Sequence, residues 1–205
     1  WNVITEQGNI HAEIVVNAAG LWAREVGHMV GIDLPIQAME HHYLITEPLD
    51  ELMQLDHEVP GTIDYEGNAY TRQEQQGLLI GTYEANGVPW ALNGTPWDFG
   101  HELLQTDLDR IAKRLEVAFE RIPALATAGI KNIINGPFTF APDGNPLVGP
   151  IPGIRNYYVA CGVMAGFCQG AGIALSLAEW IIECEPSIDV YAIYVARFGV
   201  FATRL

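Results

Sequence analysis

Cysteine is scarce in this sequence, with only Cys161, Cys168 and Cys184 among 205 residues. Three thiols so scattered make neither a disulfide framework nor a thiolate metal site, and they fit a reducing compartment. Basic residues are also few, 10 Lys and Arg against 25 Asp and Glu, for a net charge of -15. Such a chain lacks the clustered cations that nucleic acid or an anionic membrane demands, so its acidity reads as solubility in a cytosol-like compartment. No run of about eighteen apolar residues and no basic-then-apolar leader occurs, and neither a membrane span nor a secretory signal is expected within these residues. Gly-x-Ser-x-Gly, Cys-x-x-Cys and phosphate-loop motifs are missing, and His28, His57 and His101 stand apart without metal-ligand spacing.

What is present is an ordinary globular composition, 49% hydrophobic and 17% charged, enough for a substantial core. The sequence opens on Trp1 rather than Met and stops at Leu205 without a capping signal, so it is expected to be an interior piece of a longer chain. The β-branched run Glu13 to Asn17 leads through Ala18, Ala19 and Gly20 into a helical stretch from about Leu21 to Met29. From Ile36 to Phe140 the pattern becomes that of an antiparallel sheet. Strands are expected at His42 to Glu47, Asn68 to Arg72, Gly77 to Tyr83 and Ile133 to Phe140, between Gly, Pro, Asn and Asp turns. One helix interrupts them: Leu104, Leu108, Ile111, Leu115, Phe119 and Ile122 form a single apolar stripe that Pro123 ends. Asn156 to Cys161 returns to a strand, a Gly-rich turn spans Gly162 to Gly172, and a helix runs from about Ala171 to Glu183 before Pro186.

Two segments carry the strongest local signal. Gly136 to Gly149 contains Pro142, Gly144 and Pro146, which fix an unusual backbone path. Tyr158 to Gly172 sets glycines at a helix start, where backbone amides and the helix dipole favour negative charge. Read on composition alone, such a turn is more often merely a tight connection.

With these residues in view, the sequence resembles the D-amino-acid-oxidase-like flavoproteins, and within them the dimethylglycine and sarcosine dehydrogenases. Val15 to Arg24 looks like that family's late cofactor motif, and Ala38 to Pro48 like the strand entering its substrate domain. Phe140 to Gly149 and Gly162 to Gly172 look like the two stretches lining the flavin ring, and Asp189 to Thr203 resembles the passage leaving the flavin half. The resemblance implies an α/β fold with α+β character, an FAD-binding domain interleaved with an antiparallel-sheet substrate domain. Residues 1–36 and 141–187 would belong to the first, 37–140 to the second, and 188–205 would begin a connection to a further domain.

The activity implied is oxidation of an N-methylated glycine by hydride transfer to FAD. His41, with His42 as the competing assignment, and Tyr70 would be catalytic, since a His or Tyr beside the amine can accept or orient its proton. Arg72 and His42 would contact the substrate, Arg72 through bidentate bonds to a carboxylate, although a surface salt bridge explains Arg72 equally well. The cofactor would lie against Ala19, Gly20, Pro142, Asp143, Gly144, Gly162, Met164, Gly170 and Gly172. The Gly-x-Gly-x-x-Gly turn that grips the ADP half of FAD is absent from these residues, as is the His that carries a covalent flavin link in several such enzymes. The 205 residues alone are therefore expected to bind FAD weakly and not to turn over substrate. Tetrahydrofolate as an acceptor of the one-carbon unit is an expectation about a longer parent. The partners expected are a small amine and an electron acceptor of unstated kind, in the cytoplasm, or in the mitochondrial matrix of a eukaryote. Another amino-acid or glycine oxidase of the superfamily, or a binding module that has lost the flavin, are the rival readings.

Overall fold

The computed structural model describes residues 1–203, with side chains through Gly199. Arg204 and Leu205, the end of the segment expected to lead toward a further domain, lie outside the described residues. In chain order the strands are β1 (Asn2–Thr5), β2 (Gly8–His11), β3 (Val15–Asn17), β4 (Gln37–Thr46), β5 (Thr62–Asp64), β6 (Ala69–Glu74), β7 (Gly77–Thr82), β8 (Ile130–Phe140), β9 (Leu147–Pro150) and β10 (Tyr157–Cys161). The α-helices are α1 (Ala23–His28), α2 (Asp50–Met53), α3 (Leu108–Arg121) and α4 (Gly166–Glu183).

Two compact units alternate along the sequence. Trp1–Ala38, Ala91–Phe99 and Phe138–Leu205 form the first, and Met39–Trp90 with Gly100–Pro137 the second. The sequence pattern marks one unbroken segment over 37–140, whereas the structure returns Ala91–Phe99 to the first unit. Hydrogen bonds explain the return. The Thr95 amide donates to Glu25 at 2.6 Å, the Thr95 hydroxyl to the Leu21 carbonyl at 2.9 Å, and the Trp22 indole to the Pro96 carbonyl at 3.0 Å.

In the first unit β10 pairs in parallel with β3 and antiparallel with β9. Tyr157, Val159 and Cys161 point into a core with Leu147, Leu34 and Ala23, while Tyr158 and Ala160 meet Val148 and α4 residues Ile173 and Leu177 on the other face. Burial on both faces gives a strand an almost continuous apolar run instead of alternation. Each fully buried Leu or Val contributes roughly 2 kcal/mol. Helix α4 can approach β9 because Gly149 has no side chain: a Cβ there would fall 2.7 Å from the Trp180 ring. The helix starts at Gly166, not near Ala171, so Gly170 and Gly172 lie inside it. It stops at Glu183, where Cys184 turns left-handed with φ 68°.

The second unit is built on a five-stranded sheet in the order β5-β6-β7-β4-β8. Its β5/β6, β6/β7 and β7/β4 pairs are antiparallel. Helix α3 lays Ile111, Leu115 and Ala118 against Leu44, Leu78 and Ile80 on one face. The side-chain period of a strand then divides β4: His42, Leu44 and Thr46 are buried, and His41 and Tyr43 point the other way. Helix α3 is shorter at its front than the apolar stripe implies. The Asp107 side chain caps it by accepting from the Asp109 amide at 3.1 Å, while Leu104 pairs as extended chain with the Asn135 carbonyl at 2.9 Å. Among the described residues no helix is long and apolar enough to cross a membrane.

Candidate active site

The face of the second unit's sheet opposite α3 carries an aromatic cluster. Register sets Tyr70 of β6 opposite Gly81 of β7, and Gly81 opposite Tyr43 of β4. A Cβ on Gly81 would fall 1.9 Å from Cζ of Tyr70, so the Tyr70 ring lies flat across that glycine. In that position Oη of Tyr70 is 3.2 Å from Nε2 of His41. The two ring planes are within 15° of each other, and Tyr83 stands beside both with centroids 5.5 Å from Tyr70 and 6.2 Å from His41.

Burial sets the protonation of this pair. It pushes the His41 imidazole below its ordinary value, only partly opposed by the charge of Glu84, so the ring is a neutral base at neutral pH. The Tyr70 phenol is pushed up to about 12, first by burial and then by its neighbours Tyr83 and Tyr43. Tyr70 therefore stays a neutral hydroxyl that hydrogen-bonds without ionising.

His42 is placed differently from expectation. Its side chain is fully buried, Nδ1 donates to Glu84 Oε1 at 2.8 Å and Nε2 accepts from the Asp107 amide at 3.1 Å. With both nitrogens engaged beneath the sheet it has no atom to offer a substrate, and it is corrected from a substrate contact to an anchor of the α3 N-terminus. Glu84 also pairs with Arg110 at 2.6 Å, and Arg110 joins Glu40 at 2.5 Å. Burial opposes the Arg110 charge, but the bonds to Glu40 and Glu84 outweigh it and hold the group above its ordinary value. Arg72 shares the face of Tyr70. Its guanidinium is more than half exposed and meets Glu74 at 2.6 Å.

The first unit collects the residues assigned to a cofactor. Ala19 donates its amide to Asn17 Oδ1 at 3.2 Å, and Asn17 Nδ2 donates to the Ala23 carbonyl at 2.8 Å, which fixes the turn from β3 into α1. Gly20 and Gly144 have φ of +58° and +75°, and a Cβ at either, or at Gly166, would meet nothing within 4 Å. Bare backbone facing open space fits a large planar group that must come close, and the first turn of α4 has no side-chain cap on its amides. Gly162, with φ of +63°, and the exposed Met164 lead into that turn. Two expectations change here. Gly170 and Gly172 sit in the body of α4, where amides bond within the helix, so they present only a surface without side chains. The Asp143 carboxylate is taken by Arg197, whose Nη2 and Nε both lie 2.8 Å from it, and this holds the carboxyl well below the usual range. Pro142 and Gly144 flank that clasp as exposed and half-exposed backbone. Arg197 also bonds the Asn145 and Pro146 carbonyls at 2.9 Å.

Sequence reasoning missed Asn17, Gly81, Tyr83, Glu84, Arg110 and Arg197. A glycine inside an apolar strand run, as at Gly81, is a legible sign of close approach. Asn17 acts within its own turn, and Glu84, Arg110 and Arg197 act through partners far away in sequence.

The profile of the family described as "DAO: FAD dependent oxidoreductase" matches residues 1–180. Mitochondrial dimethylglycine dehydrogenase of Mus musculus is 44% identical over 99% of this chain and 24% of its own length. Mitochondrial sarcosine dehydrogenase of the same organism is 36% identical over 96% of this chain and 21% of its own. The chain thus spans about a quarter of the length of the curated relatives it matches. Among solved structures, L-proline dehydrogenase from P. horikoshii superposes with a TM-score of 0.78 at 26% identity, over 99% of this chain and 51% of that one. On the match over most of its length, the chain belongs to the FAD dependent oxidoreductases of the DAO family.

Proposed function

We propose that the protein of which these residues form part oxidises an N-methylated glycine, dimethylglycine or sarcosine, with FAD as the electron acceptor. The observation that carries this reading is the His41–Tyr70 pair, Nε2 to Oη 3.2 Å, on the face of the sheet away from α3. The likeness to dehydrogenases named for those two substrates supports it. FAD, when bound, supplies a hydride acceptor for the carbon next to the amine nitrogen. The Gly20 turn, the Pro142 to Gly144 loop, Gly162, Met164 and the first turn of α4 would hold it.

This chain's own residues handle the proton. An amine gives up hydride from its neighbouring carbon only once its nitrogen is unprotonated, and a neutral imidazole is matched to that task. His41 takes the ammonium proton, and the Tyr70 hydroxyl at Nε2 holds the ring in place. Arg72 anchors the substrate carboxylate after exchanging its Glu74 partner. The iminium product then goes to water, or to tetrahydrofolate in a further part of the protein. In a eukaryote the enzyme would work in the mitochondrial matrix, a reading supported by its likeness to mitochondrial dehydrogenases.

Anaerobic mixing of the full-length protein with dimethylglycine or sarcosine tests the reading. Bleaching of the flavin band near ~450 nm is expected. A yellow protein that neither amine bleaches would exclude the substrate class. A colourless protein that FAD does not reconstitute would leave a binding module instead.

A further inference from the structure

The aromatic cluster has a shape that proton transfer alone does not require. Tyr70 lies flat on the sheet, because the Cβ direction of Gly81 runs straight into its ring. His41 is within 15° of that plane, so the two rings pave the sheet surface with their outer faces directed away from it. Tyr83 breaks the plane. It is inclined 36° to His41 and 50° to Tyr70, and it is 41% exposed. The three centroids are separated by 5.5, 6.2 and 6.3 Å. A group resting above the middle of that triangle lies within the roughly 6 Å over which a ring quadrupole attracts a cation.

We propose that Tyr83 is a specificity-determining residue, which with the Tyr70 and His41 floor binds the N-methylated ammonium group of the substrate. The inference rests on the function proposed above and gives it a recognition element. Methyl groups on nitrogen spread the positive charge over apolar surface, which suits ring faces and gives a carboxylate little to grasp. The rings hold the ammonium form until His41 takes its proton, since His41 borders the same platform. A phenol pushed up to about 12 keeps the Tyr70 ring neutral throughout. Arg72 and Glu74 stand on the same strand, two and four residues beyond Tyr70, with their charges already matched at 2.6 Å, so the cluster itself is uncharged apart from the base.

The test uses the full-length holoenzyme and two inhibitors of one shape, N,N,N-trimethylglycine and its neutral-carbon counterpart 3,3-dimethylbutanoate. Their dissociation constants are read from flavin absorbance and compared within each variant, so a smaller folded fraction cancels from the ratio. Wild type should prefer the cation, Tyr83→Leu should lose about ten-fold of that preference, and Tyr83→Phe should keep it. Equal binding of the two inhibitors by wild type, or an unchanged preference in Tyr83→Leu, overturns the inference. Failure of the function proposed above looks different: wild type would not be bleached by any N-methylglycine, while the inhibitor ratio still reports on the ring platform.

Discussion

His41 and His42 are neighbours in sequence and opposites in circumstance. His41 lies on the aromatic face of the sheet with its Nε2 at a tyrosine hydroxyl, and His42 lies on the helix face with both nitrogens committed. One step along the strand separates the proposed proton acceptor from a structural anchor, because successive side chains of a strand point to opposite faces. Residue type alone therefore says little about function here. The face does.

Removing each member of the contrast should separate rate from stability. The largest effect is expected on the aromatic face, where His41→Ala in the full-length enzyme should slow flavin reduction about 10²-fold with folding little changed. The same substitution at His42 should act the other way. His42→Ala leaves Glu84 short of a partner and the α3 N-terminus without its acceptor, costing about 2 kcal/mol in urea unfolding, with flavin reduction per folded molecule nearly intact. Gly81→Ala sharpens the comparison from beneath. Its new methyl must displace the Tyr70 ring, so flavin reduction should fall about ten-fold, and a combined Gly81→Ala, Tyr70→Ala variant, which has no ring to displace, should be no slower than Tyr70→Ala alone.

The pH dependence gives a smaller but signed effect. Since burial lowers the His41 value, the acid limb of kcat/KM should fall below about 6.5, the ordinary imidazole value. The contribution of His41 to stability follows the same sign. A buried neutral imidazole favours folding above the ordinary value and weakens it as pH drops through that range toward the lowered one. Smallest of all, Arg197→Ala should free the Asp143 to Pro146 loop. It should weaken FAD retention a few-fold in dialysis while leaving the reduction rate of bound flavin unchanged.

Much of this architecture is legible in the sequence where periodicity is strong. The strands around His41, Tyr70 and Gly77 and the stripe of α3 follow from spacing, because one face of each is buried against the other. Ends were harder to read. Gly166, Gly170 and Gly172 each disfavour helix by about 1 kcal/mol, which reads as a turn, but the packing of Ile173 and Leu177 on Val148 extends α4 through them. The site was legible as far as residue types in strand register, which bring His41 and Tyr70 together. Its supports were not: Arg197 reaches Asp143 across 54 residues, and Glu84 reaches His42 across 42. No local spacing encodes such pairs.

The account turns on His41 as the base on the open aromatic face, and the limiting rate of flavin reduction by dimethylglycine in His41→Gln, set beside His42→Gln, addresses that most directly. The account predicts a loss of about 10²-fold in the first and less than about three-fold in the second. Equal rates in both variants, or the larger loss in His42→Gln, would contradict it.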